Sequence, residues 1–286
     1  MKVRESCPAC DSVEKQQCFV VSGYDIKRCL ECGTMYVDPL PTPEALAAIY
    51  TSDSYYELSS DSMRRIAEEN QRRLKLIKRA KPAGRFLDIG CAHGLLLDLA
   101  KQNGYSTFGV EPTSRNAEVA SAKGHNVFNG WLDDFVTKVG DQRFDVITCL
   151  DVIEHIDNPK LFLTSALTLL AEDGLMVVST PNYSGVIAKI LGASDPYMTP
   201  PEHITFFTSD GISLLATSCG LKVKSFHCFG SLIPAEMNRA IPRYLPQSIQ
   251  FLAPLIRPVV HFTFMTLNYI KLGLEQEVYL TKIAQK

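Results

Sequence analysis

Residues 86–94 read Phe86-Leu87-Asp88-Ile89-Gly90-Cys91-Ala92-His93-Gly94, and Gly109-Val110-Glu111 closes the next apolar run. An apolar strand that enters a small-residue turn and then a helix, with an acidic residue ending the following strand, is how a parallel α/β sheet holds a nucleoside cofactor. Gly90, Ala92 and Gly94 keep side chains away where backbone must approach a ligand. Glu111 offers two acceptor oxygens to the two hydroxyls of a ribose.

Two cofactor classes share this layout, and the turn separates them. Dinucleotide sites set a pyrophosphate on the helix N-terminus and need G-x-G-x-x-G. Here the spacing is G-x-A-x-G, with Asp88 two residues before Gly90. A carboxylate at that point repels a phosphate and pairs with an ammonium group. The pattern favours a cationic amino-acid nucleoside, S-adenosyl-L-methionine. A glycine turn with no ligand is the alternative, and Asp88 and Glu111 in register argue against it.

Nine cysteines are many, and they are unevenly placed. Cys7-Pro8-Ala9-Cys10 and Cys29-Leu30-Glu31-Cys32 are two Cys-x-x-Cys knuckles, each presenting two thiolates at a tight turn. Together they complete a four-sulfur tetrahedral site for a structural Zn2+, coordinatively closed and suited to folding and docking. Residues 18–21 and 25–28 read as short strands around Ser22-Gly23. Cys18, on a strand, reads as packing, and Cys91, Cys149 and Cys219 fall in core elements. This usage points to a reducing compartment. The start of the chain lacks the apolar core of a signal peptide, and no apolar run reaches bilayer length, so the expectation is a cytoplasmic protein. The net charge of −2 sets up no overall field toward nucleic acid or anionic lipid.

The organisation expected is a zinc ribbon over 1–40, a helical linker over 41–81 and a catalytic domain over 82–286. Pro39, Pro41 and Pro43 end the ribbon. The basic helix at 61–81 reads as a solvated face, because Glu68 and Glu69 interrupt its positive run and stacking aromatics are missing. From Arg85 onward, strands at 85–89, 106–110, 126–129, 144–149, 174–180 and 221–228 alternate with helices at 94–103, 113–123, 159–171 and 208–219. That alternation predicts an α/β, doubly wound parallel sheet. Residues 275–283 read as a closing strand beside 221–228. Between those two strands, 231–273 is an apolar, proline-broken helical insert. Arg239, Arg243, Arg257 and Lys271 outnumber Glu236 in it, so it reads as a lid, a homodimer contact or a peripheral contact with the inner membrane face.

Strand 144–149 leads into Leu150-Asp151-Val152-Ile153-Glu154-His155. Ligands of a doubly wound sheet sit at the carboxyl ends of its strands, which sets Asp151, Glu154 and His155 beside the cofactor crevice. Two carboxylates and an imidazole can position a hydroxyl, take its proton or bind a divalent ion. Glu154 and His155 acting only as helix and loop anchors is the competing reading. A second group, Pro200-Pro201-Glu202-His203-Ile204-Thr205-Phe206-Phe207-Thr208, delivers Glu202 and His203 on a prolyl loop ahead of a Thr-capped helix.

Over residues 80–230 and 275–284 the chain resembles class I S-adenosylmethionine-dependent methyltransferases. Phe86 to Gly94 looks like their first motif, and Val152-Ile153-Glu154-His155-Ile156 like the post-strand-four motif of the ubiquinone-biosynthesis-like branch. Ser179-Thr180-Pro181-Asn182 with Pro201 to Thr208, and a cysteine ribbon ahead of them, are similar to the branch that includes sugar methyltransferases. The resemblance implies a seven-stranded Rossmann-like methyltransferase sheet. It implies that Trp131, Leu132 and Asp133 border the adenine, that Leu150 borders the methionine part, and that Glu202 and His203 are substrate-side catalytic residues. Ala92 in place of the middle glycine, and the lack of a long C-terminal domain, depart from the sugar C-methyltransferases. The reaction expected is O-methylation of a small or lipid-linked hydroxylated acceptor. The alternatives are C-methylation of a keto-sugar nucleotide, an inactive binding protein, and nucleic-acid methylation, which no basic-aromatic stripe supports.

Overall fold

A computed structural model describes residues 2–42, 45–46, 60–229, 266 and 273–283. Most of the 231–273 segment and part of the helical linker expected over 41–81 therefore lie outside the described residues.

Seven strands form the central sheet: β4 (Gly84–Ile89), β5 (Tyr105–Glu111), β6 (Asn126–Asn129), β7 (Phe144–Leu150), β8 (Leu170–Pro181), β10 (Leu221–Phe229) and β11 (Glu275–Lys282). Their spatial order is β10-β11-β8-β7-β4-β5-β6. β4 is parallel to β5 and β7, β5 to β6, and β7 to β8. The closing strand β11 does pair with β10, and it also separates β10 from β8, antiparallel to both. The sheet is thus mixed at one edge rather than parallel throughout.

The strands are apolar runs because both faces are covered. Alternate residues feed two cores. Leu87, Ile147, Met176, Val178 and Leu280 pack on one side. Phe86, Val146, Leu175, Val177 and Tyr279 pack on the other, against Leu74 and Ile77 of helix α1 (Ser60–Ala80). Helices α2 (Leu95–Gln102), α3 (Ser114–Ala122), α4 (Leu132–Val139), α5 (Pro159–Leu169), α6 (Val186–Leu191) and α7 (Ser209–Ser218) complete the layers. Of these, α4 and α6 are additions to the sequence reading. α5 starts where Asn158 accepts from Leu161 N at 3.1 Å with Pro159 in the first turn. α7 starts at Thr208, as expected, where the hydroxyl accepts from Gly211 N at 3.0 Å.

The N-terminal sheet holds the two expected strands, β1 (Lys15–Val21) and β2 (Tyr24–Cys29), and two more. β3 (Met35–Val37) follows the second knuckle, and β9 (Thr205–Phe206) comes from the loop after Glu202-His203. Met35 pairs with Phe206 and Tyr36 with Thr205, antiparallel. Ile26, Met35 and Val37 form one apolar cluster with Tyr183, Ile204 and Phe206. Each fully buried apolar side chain in such a seam contributes about 1.5–3 kcal/mol.

Candidate active site

The first loop is built around positive φ. Gly90 lies at φ 77°, Ala92 at 44° and Gly94 at 74°. A Cβ on Gly90 would stand 2.5 Å from Val152 Cγ2, so conformation and space both demand glycine there. Ala92 holds a left-handed conformation that costs a non-glycine residue about 1–2 kcal/mol. Its amide is one of two that Glu111 secures: Ala92 N donates to Glu111 Oε2 at 3.0 Å and Thr113 N to Oε1 at 2.9 Å. The carboxylate thus locks the ends of β4 and β5 together, and each oxygen keeps a second acceptor position.

Asp88 is 5% exposed and accepts from Thr148 Oγ1 at 2.6 Å. Burial raises its pKa to about 7, against the pull of Thr148 and Arg73. A carboxyl held there is readily ionised by an incoming cation. Arg73 was not singled out in the sequence. The helix read as a solvated basic face buries Arg73 to 3% exposure, where it bonds Glu277 and Asn70 and lies within electrostatic reach of Asp88 and Asp151. Its partner Glu277 is on β11, far along the chain, so local pattern gave no signal.

Leu150 ends β7 and is half-buried, and Asp151 follows at φ 54°. Asp151 Oδ1 accepts from Ser179 Oγ at 2.9 Å, which ties the ends of β7 and β8. Beyond β6, Trp131 is 55% exposed and Leu132 is buried. Asp133 Oδ1 accepts from Ser165 Oγ at 2.9 Å. Trp131, Leu132 and Asp133 line a cavity of about 280 Å³ together with His155, Leu161 and Phe162.

The second cluster unites groups that the sequence placed on separate loops. His155 and His203 meet edge to face, with ring centroids 4.7 Å apart. His155 Nδ1 donates to the Glu202 carbonyl at 2.8 Å and His203 Nδ1 to the Tyr197 carbonyl at 2.6 Å. A carbonyl only accepts, so both Nδ1 atoms carry hydrogen, and Nε2 is the basic nitrogen of each neutral ring. Burial lowers both imidazole pKa values, His155 to about 4, with His203 adding to the shift of His155. Glu202 contributes its backbone to this arrangement. Glu154 is 1% exposed, and neither carboxylate oxygen has a hydrogen-bond partner among the described residues. Burial first, and the Asp151 charge second, push its pKa well up. Ligand atoms of Glu154, His155 and His203 lie within 4.8 Å of one another.

At the ribbon, Cys7 Sγ and Cys32 Sγ are 3.7 Å apart, and Cys10 Sγ and Cys29 Sγ 3.5 Å. A tetrahedral zinc with Zn–S bonds of 2.3 Å sets sulfurs about 3.8 Å apart. Ala9 N donates to Cys7 Sγ at 3.4 Å, the kind of amide–sulfur contact that stabilises a bound thiolate. All four ligand atoms lie within 4.8 Å of one another, so the residues fit the metal. Cys18 stands outside the cluster, as expected.

The comparisons agree with this architecture. Residues 60–225 match the family model described as "Methyltransferase domain". A ubiquinone biosynthesis O-methyltransferase of Bradyrhizobium diazoefficiens is 35% identical over 116 residues, 38% of this chain and 45% of that protein. Its counterpart in Rhodopseudomonas palustris is 30% identical over 41% of this chain and 54% of its own. The chain thus spans about half the length of these curated relatives. Among solved structures, a methyltransferase from Thermotoga maritima described as a possible histamine N-methyltransferase superposes with a TM-score of 0.51, at 18% identity, over 75% of this chain and 89% of its own. Magnesium protoporphyrin IX methyltransferase from Synechocystis, with bound S-adenosylhomocysteine, gives 0.52 at 12% identity over 84% and 94%. These two show the fold. The chain belongs to the methyltransferase-domain family. That domain occupies residues 60–225 of the chain.

Proposed function

We propose that the protein methylates an oxygen of a small or lipid-linked hydroxylated acceptor, with His203 as the base. The observation that carries this is the fixed tautomer of His203, whose Nδ1–H is committed to the Tyr197 carbonyl. S-adenosylmethionine supplies a methyl group already activated on a sulfonium. What remains for the protein is alignment and removal of one proton. Asp88 is suited to the ammonium of the cofactor and Glu111 to its ribose. Trp131, Leu132 and Asp133 are suited to the adenine, and Gly90, Ala92, Gly94, Leu150 and Asp151 to close approach along the rest of the cofactor. Burial keeps His203 neutral at physiological pH, so its Nε2 is available to take the hydroxyl proton as the carbon–oxygen bond forms. The likeness to ubiquinone biosynthesis O-methyltransferases supports oxygen as the nucleophile. A tritiated methyl-transfer assay on lipid, sugar-nucleotide and small-molecule fractions tests the reading.

A second reading rests on Glu154. A buried carboxyl whose ligand atom lies within 4.8 Å of those of two imidazoles suits a divalent cation that would orient the acceptor oxygen. In the ribbon, Cys7, Cys10, Cys29 and Cys32 would hold zinc as a structural ion. No helix among the described residues is long and apolar enough to cross a membrane. Contact of 231–273 with a membrane surface, or with a second copy, stays a proposal drawn from its composition.

A further inference from the structure

The ribbon grips both segments that carry the imidazole pair. On the His203 side, Val37 N donates to the Ile204 carbonyl at 3.0 Å, and Ile204 N in turn donates to the Glu154 carbonyl at 3.0 Å. Residue 204 is thus clamped between the ribbon and the turn that bears Glu154 and His155. Further along, Thr208 Oγ1 donates to the Cys32 carbonyl, within the second knuckle, at 2.7 Å. The fit is tight there: a Cβ on Gly211 would fall 1.9 Å from Thr34 Oγ1. On the His155 side, Arg4 Nη1 donates to the Asp157 carbonyl at 2.9 Å, while Arg4 N is held by Asp38 at 2.8 Å. Lys160, at the start of α5, pairs with Asp11 beside the first knuckle. Cys7, Cys29, Cys32 and Tyr36 belong to the same core as Ile153, Phe207 and Ile212.

A closed tetrathiolate site has no open position for chemistry, yet it fixes the knuckles that anchor these bonds. We propose that the ribbon is a positioning element of the methyl-transfer site: metal held by Cys7, Cys10, Cys29 and Cys32 sets β3, Thr208 and Arg4, and through them the mutual placement of His155 and His203. This rests on the reading of that pair as the acceptor side. Asp88 and Glu111 hang on β4 and β5, which make no strand pairing with the ribbon sheet. Leu87, Ile89 and Val110 of those strands share the ribbon's apolar core, but the ribbon's hydrogen bonds run to the segments that carry His155 and His203, so removing the metal is expected to act first on the acceptor side.

The test uses the full chain with 15N-labelled histidine, loaded with zinc or stripped by chelation, with metal content measured in each sample. Long-range proton–nitrogen spectra report the tautomer of each imidazole, calorimetry the affinity for S-adenosylmethionine, and tritium transfer the turnover. With zinc, His155 and His203 show the Nδ1–H tautomer. Without it, the His203 signals move to an averaged tautomer, cofactor affinity holds, and turnover falls about tenfold or more. Unchanged imidazole signals after verified metal loss overturn the proposal, as does a chain that takes up no zinc. Moved signals with unchanged turnover uphold the positioning and refute His203 as the base. If the stripped chain unfolds, Thr208→Val decides with zinc in place. It should alter the His203 signals and lower kcat with the cofactor KM unchanged, and Thr208→Ser should restore both. No change in Thr208→Val overturns the proposal.

Discussion

Arg73 of α1 and Glu277 of β11 form a buried ion pair, at 3% and 0% exposure, and Arg72 joins it from the surface with Nη2 2.7 Å from Glu277 Oε1. The pair ties the helix before the catalytic sheet to the last strand within it. Breaking a buried pair strands one charge, so Glu277→Ala should destabilise the fold by about 3–5 kcal/mol in denaturant unfolding. An unshifted midpoint would show that the pair carries no such load.

With Asp88 as the proposed partner of the cofactor's ammonium, cofactor affinity should depend on pH. Its carboxyl in the free protein is held up to about 7, with burial as the main cause. A bound ammonium favours the ionised form, so binding releases a proton below that value. Affinity should therefore fall as pH drops below about 7 and level off above it. Calorimetry in buffers of different ionisation heat should register the released proton. Asp88→Asn should weaken binding by about 1.5–3 kcal/mol and remove the pH dependence. A flat profile in the unsubstituted protein would contradict this account of Asp88.

The strand–turn–helix loop after β4 was legible in the sequence because its parts are contiguous. Asp88, Gly90, Ala92 and Gly94 lie on one turn, and Glu111 ends the next strand. The four-cysteine cluster was legible because Cys-x-x-Cys is a local pattern. What stayed hidden was pairing between distant segments. β9 is only two residues long and has no periodicity to betray it. Arg73 reads as one of several surface cations because its partner Glu277 lies 204 residues further along the chain, on β11. His155 and His203 were both named, and only the fold shows that they touch.

The ribbon should carry one zinc per chain by elemental analysis. Chelation should release it and destabilise the N-terminal sheet, because metal-binding free energy is folding free energy in such a site. Cys32→Ser should lower zinc affinity. A chain that keeps the ribbon folded without metal would refute the four-thiolate centre.

The composition of 231–273 leads to its own expectation. Full-length protein should float with anionic liposomes, and a variant with 233–271 replaced by a short turn should not, if that segment lies on a membrane surface. Both remaining in the soluble fraction would leave the lid or the dimer contact.

The central claim is that His203 serves as a neutral base for methyl transfer to a hydroxyl. The direct measurement is tritium transfer from methyl-labelled S-adenosylmethionine into the cell's lipid, sugar-nucleotide and small-molecule fractions, by the native protein and by His203→Gln, across pH. Burial depresses the His203 pKa, so at saturating S-adenosylmethionine turnover should hold from neutral pH downward and fail only below the ordinary histidine range, as protonation removes the base. The substitution should cut kcat about 10²–10⁴-fold while cofactor affinity stays unchanged. Equal labelling by native protein and His203→Gln, with the same pH profile, would contradict the account.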